Sequence, residues 1–131
     1  MGTKYLMDTN AIIEFLGGSL PNPANQWIEN VIDDNAQYVS IINKIELLGF
    51  NASPSEMMIL QDFIDCTNII PLDDIVAAKT IELRKAHRIK LPDAIIASTA
   101  LVYNLQLITR NTKDFKNISD LDIVNPTEIS S

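Results

Sequence analysis

Four acidic residues stand where carboxylates can do chemistry. Asp8 follows the apolar run at residues 4–7. Glu46 lies among Ile42, Ile45, Leu47 and Leu48. Asp93 follows Pro92 at the head of a nearly all-apolar segment, and Asp114 comes shortly after the apolar run at residues 105–109. Carboxylates brought within ~4 Å of each other repel by about 4 kcal/mol at an effective dielectric near 20, so a gathered set must hold protons or cations. A donor set made only of oxygen selects Mg²⁺ or Mn²⁺ over zinc.

Each acid also has a plainer reading. Asp8 or Thr9 can cap the following helix by accepting a backbone N–H. Glu46 can be a solvated glutamate on the polar side of a short helix, or an acid facing inward. Asp93 sits where a helix dipole stabilises a carboxylate by ~0.3–1 kcal/mol. Asp114, three residues after Asn111, resembles a capping box with Asp in place of Glu. The four together are more informative than any one of them, because all fall near a strand end or a helix start.

Other chemistries have less material. His87 is the only histidine, which rules out a metal-free nuclease with separate imidazole acid and base, and a serine triad would need that same His beside an unmarked serine. Cys66 is the only cysteine, so no internal disulfide forms, and a buried reduced thiol is expected. Arg84, Lys85, Arg88 and Lys90 cluster with His87 just before Asp93, and Arg110 and Lys113 flank the last acid. These cations can meet substrate phosphates or complement helix ends while staying in water.

The elements that must position these residues read as alternating strands and helices. Residues 4–7 form a strand and 10–16 a helix stopped by Gly17-Gly18. A second helix covers 24–33 with Trp27, Ile28, Val31 and Ile32 inward, and a strand follows at 38–41. Helices are expected at 43–50 and at 55–65, the latter with Ser53 as cap and Pro54 in the first turn. A strand at 69–72 leads to a helix capped by Asp73 or Asp74 and running to about His87. The helix from Pro92 to Tyr103 is apolar on most sides and belongs in the core. A strand at 105–109, a helical turn at 111–115 and a strand at 121–124 complete the chain. Strands alternating with helices imply an α/β fold with a parallel sheet covered on both faces. In such sheets ligands gather beyond the C-terminal strand ends, which is where Asp8 falls.

Composition bounds the rest. The chain has 131 residues, 47% hydrophobic and 21% charged, consistent with one domain spanning residues 1–131. No stretch approaches the ~18 apolar residues of a membrane span, nor is there a signal-like apolar core at the N-terminus, so a cytoplasmic protein is expected. The formal net charge of −7 repels polyanions at long range. Two bound divalent ions would offset more than half of that excess and concentrate positive charge at the site itself.

Leu6-Met7-Asp8-Thr9-Asn10, Lys44-Ile45-Glu46-Leu47-Leu48, Leu91-Pro92-Asp93-Ala94-Ile95-Ile96-Ala97 and Ile108-Thr109-Arg110-Asn111-Thr112-Lys113-Asp114-Phe115 resemble, in order and spacing, the signature segments of PIN domains, and most nearly those of VapC-type toxins of toxin–antitoxin pairs. The resemblance spans nearly the whole chain and implies a three-layer α/β/α sandwich with a mostly parallel central sheet. Asp8, Glu46, Asp93 and Asp114 match the family's acidic, metal-binding positions, with Thr9, Asn10 and Asn111 as polar support. Arg84, Lys85, Arg88, Lys90 and Arg110 become candidate RNA contacts. Asn43 departs from the pattern, which often places a small hydroxyl residue one turn before the glutamate.

The resemblance also implies an activity: an endoribonuclease using one or two Mg²⁺ or Mn²⁺ ions and leaving a 5′-phosphate and a 3′-hydroxyl. It implies partners too, namely an RNA substrate, a small antitoxin whose basic side chains plug the acidic site, and a second copy of the chain in a homodimer. Two rivals stand beside it. A phosphate-handling α/β domain would carry a transferable phosphate on Asp8. A non-catalytic acidic binding module would keep its partner after Asp93→Asn and cleave nothing.

Overall fold

The computed structural model describes residues 2–130. Among these the order is β1 (Tyr5–Met7), α1 (Thr9–Leu16), α2 (Asn22–Asp33), β2 (Gln37–Ser40), α3 (Ile41–Leu48), α4 (Pro54–Asp65), β3 (Asn68–Ile70), α5 (Asp74–Ala86), α6 (Leu91–Tyr103), β4 (Gln106–Ile108), α7 (Thr112–Phe115) and β5 (Ile123–Val124), closed by a short 3₁₀ turn at Pro126–Glu128. The strands form one sheet in the order β3-β2-β1-β4-β5. Every pairing is parallel, with Leu6 opposite Tyr38 on one side and Leu107 on the other.

The period-two alternation of the strands divides the core into two layers. Met7, Val39 and Ile108 pack on one face with Ala11 and Ile12 of α1, Ala24 and Ile28 of α2, Leu47 of α3 and Leu60 and Ile64 of α4. Leu6 and Leu107 pack on the other with Leu83 of α5, Ile96, Ala97 and Ala100 of α6, and Phe115 of α7. The result is a three-layer α/β/α sandwich around an all-parallel sheet. In α6 the run from Ala94 to Ala100 is buried without a break, as its apolar circumference predicts.

Local signals explain most of the boundaries. Ser53 caps α4, accepting from the Glu56 N–H at 3.2 Å while the Glu56 carboxylate returns to the Ser53 N–H. Asp73, not Asp74, caps α5 through the Val76 N–H at 2.8 Å. The third helix begins at Ile41, two residues before the sequence pattern suggests, because Ser40 ends β2 and caps α3 at once: its Oγ accepts from the Ile42 N–H, and its own N–H donates to Asn43 Oδ1. Cys66 is exposed, not buried. It lies just past the last turn of α4 and before β3, outside both core layers. Among the described residues no helix is long and apolar enough to cross a membrane.

Candidate functional site

The chain runs outward from β1 to β2 to β3 and then returns to the far side of β1 with β4. That reversal opens a crevice between β1 and β4 at their C-terminal ends, the usual ligand position in open parallel sheets. Asp8 leaves β1 and Thr109 leaves β4 at this point, held together by the Asp8 N–H donating to the Ile108 carbonyl at 2.9 Å. Thr109, itself fully buried, donates its hydroxyl to Asp8 Oδ2 at 2.8 Å. The Thr9 N–H donates to Asp8 Oδ1 at 2.9 Å. Asp8 is therefore both a helix cap and a fixed carboxylate, 6% exposed. Burial raises its pKa, the Thr109 and Thr9 bonds oppose that rise, and the negative charge of Glu46 adds to it. With both oxygens already accepting hydrogen bonds and so little surface, Asp8 is a poor phosphoryl acceptor.

Glu46 approaches from α3. Its side chain is exposed, not inward-facing, because Asn43 and Leu47 take the buried face of that helix. It is nonetheless held: the Thr9 hydroxyl donates to Glu46 Oε1 at 2.7 Å, and Asn43 Nδ2 donates to Thr9 Oγ1 at 3.0 Å. Asn43, which departs from the family pattern of a small hydroxyl residue, thus supports Thr9 through its amide. Asp114 is exposed on α7 and accepts from Asn111 Nδ2 at 2.7 Å. Asn111 precedes α7 but makes no side-chain bond to its backbone, so the capping-box reading gives way to a direct contact between the two side chains.

Asp93 ties the group together. It is half-buried in the first turn of α6, and its pKa is pushed up to about 6 by burial first, then by the charges of Asp8, Asp114 and Glu46, with Lys90 pulling the other way. The fold has therefore brought all four acids into one electrostatic neighbourhood. Asn10 Oδ1, two residues past Asp8, is buried and has no hydrogen-bond partner among the described residues.

These residues fit a hard divalent cation. The donors are all oxygens, the charges of Asp8, Asp114 and Glu46 bear on Asp93 with Lys90 opposing them, and the Asn10 acceptor two residues past Asp8 is unpaired among the described residues. Among the described residues no three His, Cys, Asp or Glu side chains stand close enough together to cage an ion as placed.

The basic residues divide. Lys90 acts on Asp93. Arg84 and Arg88 line a shallow hollow with His87, Ile89 and Lys90, and Lys85 is exposed beside them in the last turn of α5. Arg110, after β4, is ion-paired with Glu14 of α1. Two participants escaped the sequence reading. Thr109 follows a strand end just as Asp8 does, and that symmetry about the crevice was a usable signal. Glu14, in an apolar helix, carried none.

Residues 5–121 match the model of the PIN domain family. The chain is 43% identical to ribonuclease VapC of Rickettsia bellii over 51 residues, 37% of this chain and 38% of that protein. It is 27% identical to ribonuclease VapC10 of Mycobacterium tuberculosis over 121 residues, 88% of this chain and 89% of that one. Its fold superposes on a chain of a toxin–antitoxin complex from Klebsiella pneumoniae with a TM-score of 0.79 and 33% identity, covering 96% of this chain and all of the other. With the acids of four separate segments gathered at the sheet's switch point and a family match across most of its length, the chain belongs to the PIN-domain family.

Proposed function

We propose that this protein is the ribonuclease toxin of a toxin–antitoxin pair, hydrolysing RNA phosphodiester bonds with Mg²⁺ or Mn²⁺ at the edge where Asp8, Glu46, Asp93 and Asp114 gather. The observation that carries this reading is the geometry of the site: Asp8, fixed where β1 ends, is bridged through Thr9 to Glu46 beside half-buried Asp93, whose pKa is pushed up to about 6 by burial and by three neighbouring acids. Such a concentration of negative charge has little purpose in stability and is what a cation-dependent phosphodiesterase needs. The ribonuclease relatives and the toxin–antitoxin structural neighbour support the substrate class and the partner.

Asp8 and Asp93, with Glu46 and Asp114 directly or through water, would hold one or two divalent ions, which would supply Lewis-acid stabilisation to the phosphate and activation of water. The chain's own groups do the positioning. Asp8 is locked by the Thr9 N–H and the Thr109 hydroxyl. Glu46, held by Thr9, is the carboxylate that would orient an attacking water by accepting a hydrogen bond from it. Asn111 fixes Asp114. Lys90 and the Arg84–Arg88 hollow offer phosphates a cationic approach; Arg110 joins them only if it leaves Glu14.

The test incubates purified protein with single-stranded and structured RNAs in Mg²⁺ or Mn²⁺, beside an EDTA control and folded Asp93→Asn. Cleavage that disappears in both controls supports the reading. No cleavage by folded, antitoxin-free protein overturns it in favour of an acidic binding module. Coexpression with a candidate small antitoxin, followed by native mass measurement, tests the antitoxin and the homodimer together; a stable lone monomer counts against both.

A further inference from the structure

We infer that Asn43 is a positioning residue: its side-chain amide sets the direction of a three-residue hydrogen-bond relay that holds Glu46 in place. The inference deepens the proposed site and rests on that reading. The relay is fixed at its inner end by backbone. The Ser40 N–H, at the start of α3, donates to Asn43 Oδ1 at 2.9 Å, so the oxygen of the amide faces that N–H and the nitrogen must face the other way. There Asn43 Nδ2 donates to Thr9 Oγ1 at 3.0 Å. A hydroxyl has one proton, and with one lone pair accepting from the amide, Thr9 sends that proton outward to Glu46 Oε1 at 2.7 Å.

Burial gives the relay its stiffness. Asn43 is fully buried, Thr9 is partly buried and Glu46 is exposed, so an immobile amide is coupled through one hydroxyl to a side chain that would otherwise sample several rotamers. The contact also joins two elements, since Thr9 opens α1 directly after Asp8 while Asn43 and Glu46 belong to α3. Glu46 Oε1 is thereby pinned relative to Asp8, and Oε2 forms no hydrogen bond among the described residues and remains available to water or a cation. Partners of this kind around an acidic metal site typically change affinity or rate by about 10–100-fold when removed.

The plain alternative is that Asn43 only caps α3. Asn43→Asp separates the two roles: it keeps an oxygen for the Ser40 N–H, so the cap survives, but it cannot donate to Thr9, whose hydroxyl then turns back toward residue 43 and leaves Glu46. Thr9→Val removes the hydroxyl with little change in shape and adds no charge; Thr9→Ser restores it. Three readouts are taken on each folded variant: Mn²⁺ affinity by titration calorimetry, kcat and KM for RNA, and the position of Glu46 in a crystal structure.

The expected result is a fall of about 10-fold or more in kcat and in Mn²⁺ affinity for Thr9→Val and Asn43→Asp, little change in KM, and recovery in Thr9→Ser. The double variant should lose no more than the worse single, because both break one relay. Wild-type kcat and Mn²⁺ affinity in Thr9→Val, or losses that multiply in the double variant, overturn the proposal. If Asn43→Asp does not fold, the Val and Ser pair at Thr9 decides. If wild type cleaves no RNA, the ribonuclease reading fails by itself, while Mn²⁺ affinity and the Glu46 position still judge the relay.

Discussion

At the scale of single residues, Asp93 is the most informative side chain because its environment opposes its ionisation. A carboxyl raised from 3.8 to about 6 holds its proton more tightly in the folded chain than in the unfolded one. The associated stability is fully present below about pH 3.8 and is lost as pH rises through 6. Asp93→Asn should therefore make the metal-free protein more stable at pH 7, by about 1 kcal/mol once solvent screening at this half-buried position is allowed for. The difference should vanish below pH 3.8; urea titrations in EDTA at several pH values measure it, and a variant less stable than wild type at pH 7 contradicts the electrostatic account. Thr109 shows the opposite case. Its hydroxyl donates to the Asp8 carboxylate and opposes the rise that burial imposes on the pKa of that group, so Thr109→Val should cost about 1–3 kcal/mol at pH 7. That loss should shrink as Asp8 protonates in acid, and a pH-independent loss would mean that packing alone is responsible.

At the scale of elements, α3 and α6 bring Glu46 and Asp93 toward the acid that ends β1. On α3 the buried face is set by Asn43 and Leu47, four residues apart, and Glu46 is left at the rim. Leu47→Ala removes a fully buried side chain and should destabilise by about 2–5 kcal/mol; loss of cleavage that tracks the unfolded fraction, with no further loss at low temperature, would show that α3 is anchored only by packing. This element also shows what the sequence made legible. The alternation of apolar strands and amphipathic helices marks the sandwich, and the four acids stand out because each follows a strand or opens a helix. The start of α3 was misplaced because Ser40 is both the last strand residue and the cap, a double role that no periodicity reveals. Glu46 was allowed an inward orientation because Ile42 and Ile45 flank it, yet Ile45 is 59% exposed; apolar neighbours in sequence did not mean a buried face. Thr109 and Glu14 went unseen for a different reason. Their roles depend on contacts to Asp8 and Arg110 across 101 and 96 residues of chain: no local pattern marked Glu14, and Thr109 was marked only by its place after a strand end.

At the scale of the whole molecule, seventeen acidic residues against ten basic ones leave an excess of negative charge that works against compactness, and the most concentrated part of it lies at one edge of the sheet. A divalent ion bound there should stabilise the fold as well as serve the reaction, since a ligand that binds only the folded state at 100 times its Kd adds about 2.7 kcal/mol. Mn²⁺ should therefore raise the melting temperature of wild type in a saturable manner at pH 7. The effect should be weaker at pH 5, where Asp93 holds its proton. Monovalent salt, which only screens, should give a small and unsaturable shift, and Asp93→Asn should respond to Mn²⁺ little more than it does to salt. Thermal melts across Mn²⁺ concentration for both proteins test this without any RNA. Equal stabilisation of wild type and variant would place the bound ion away from the four acids, and would separate the charge of this molecule from the chemistry proposed for it.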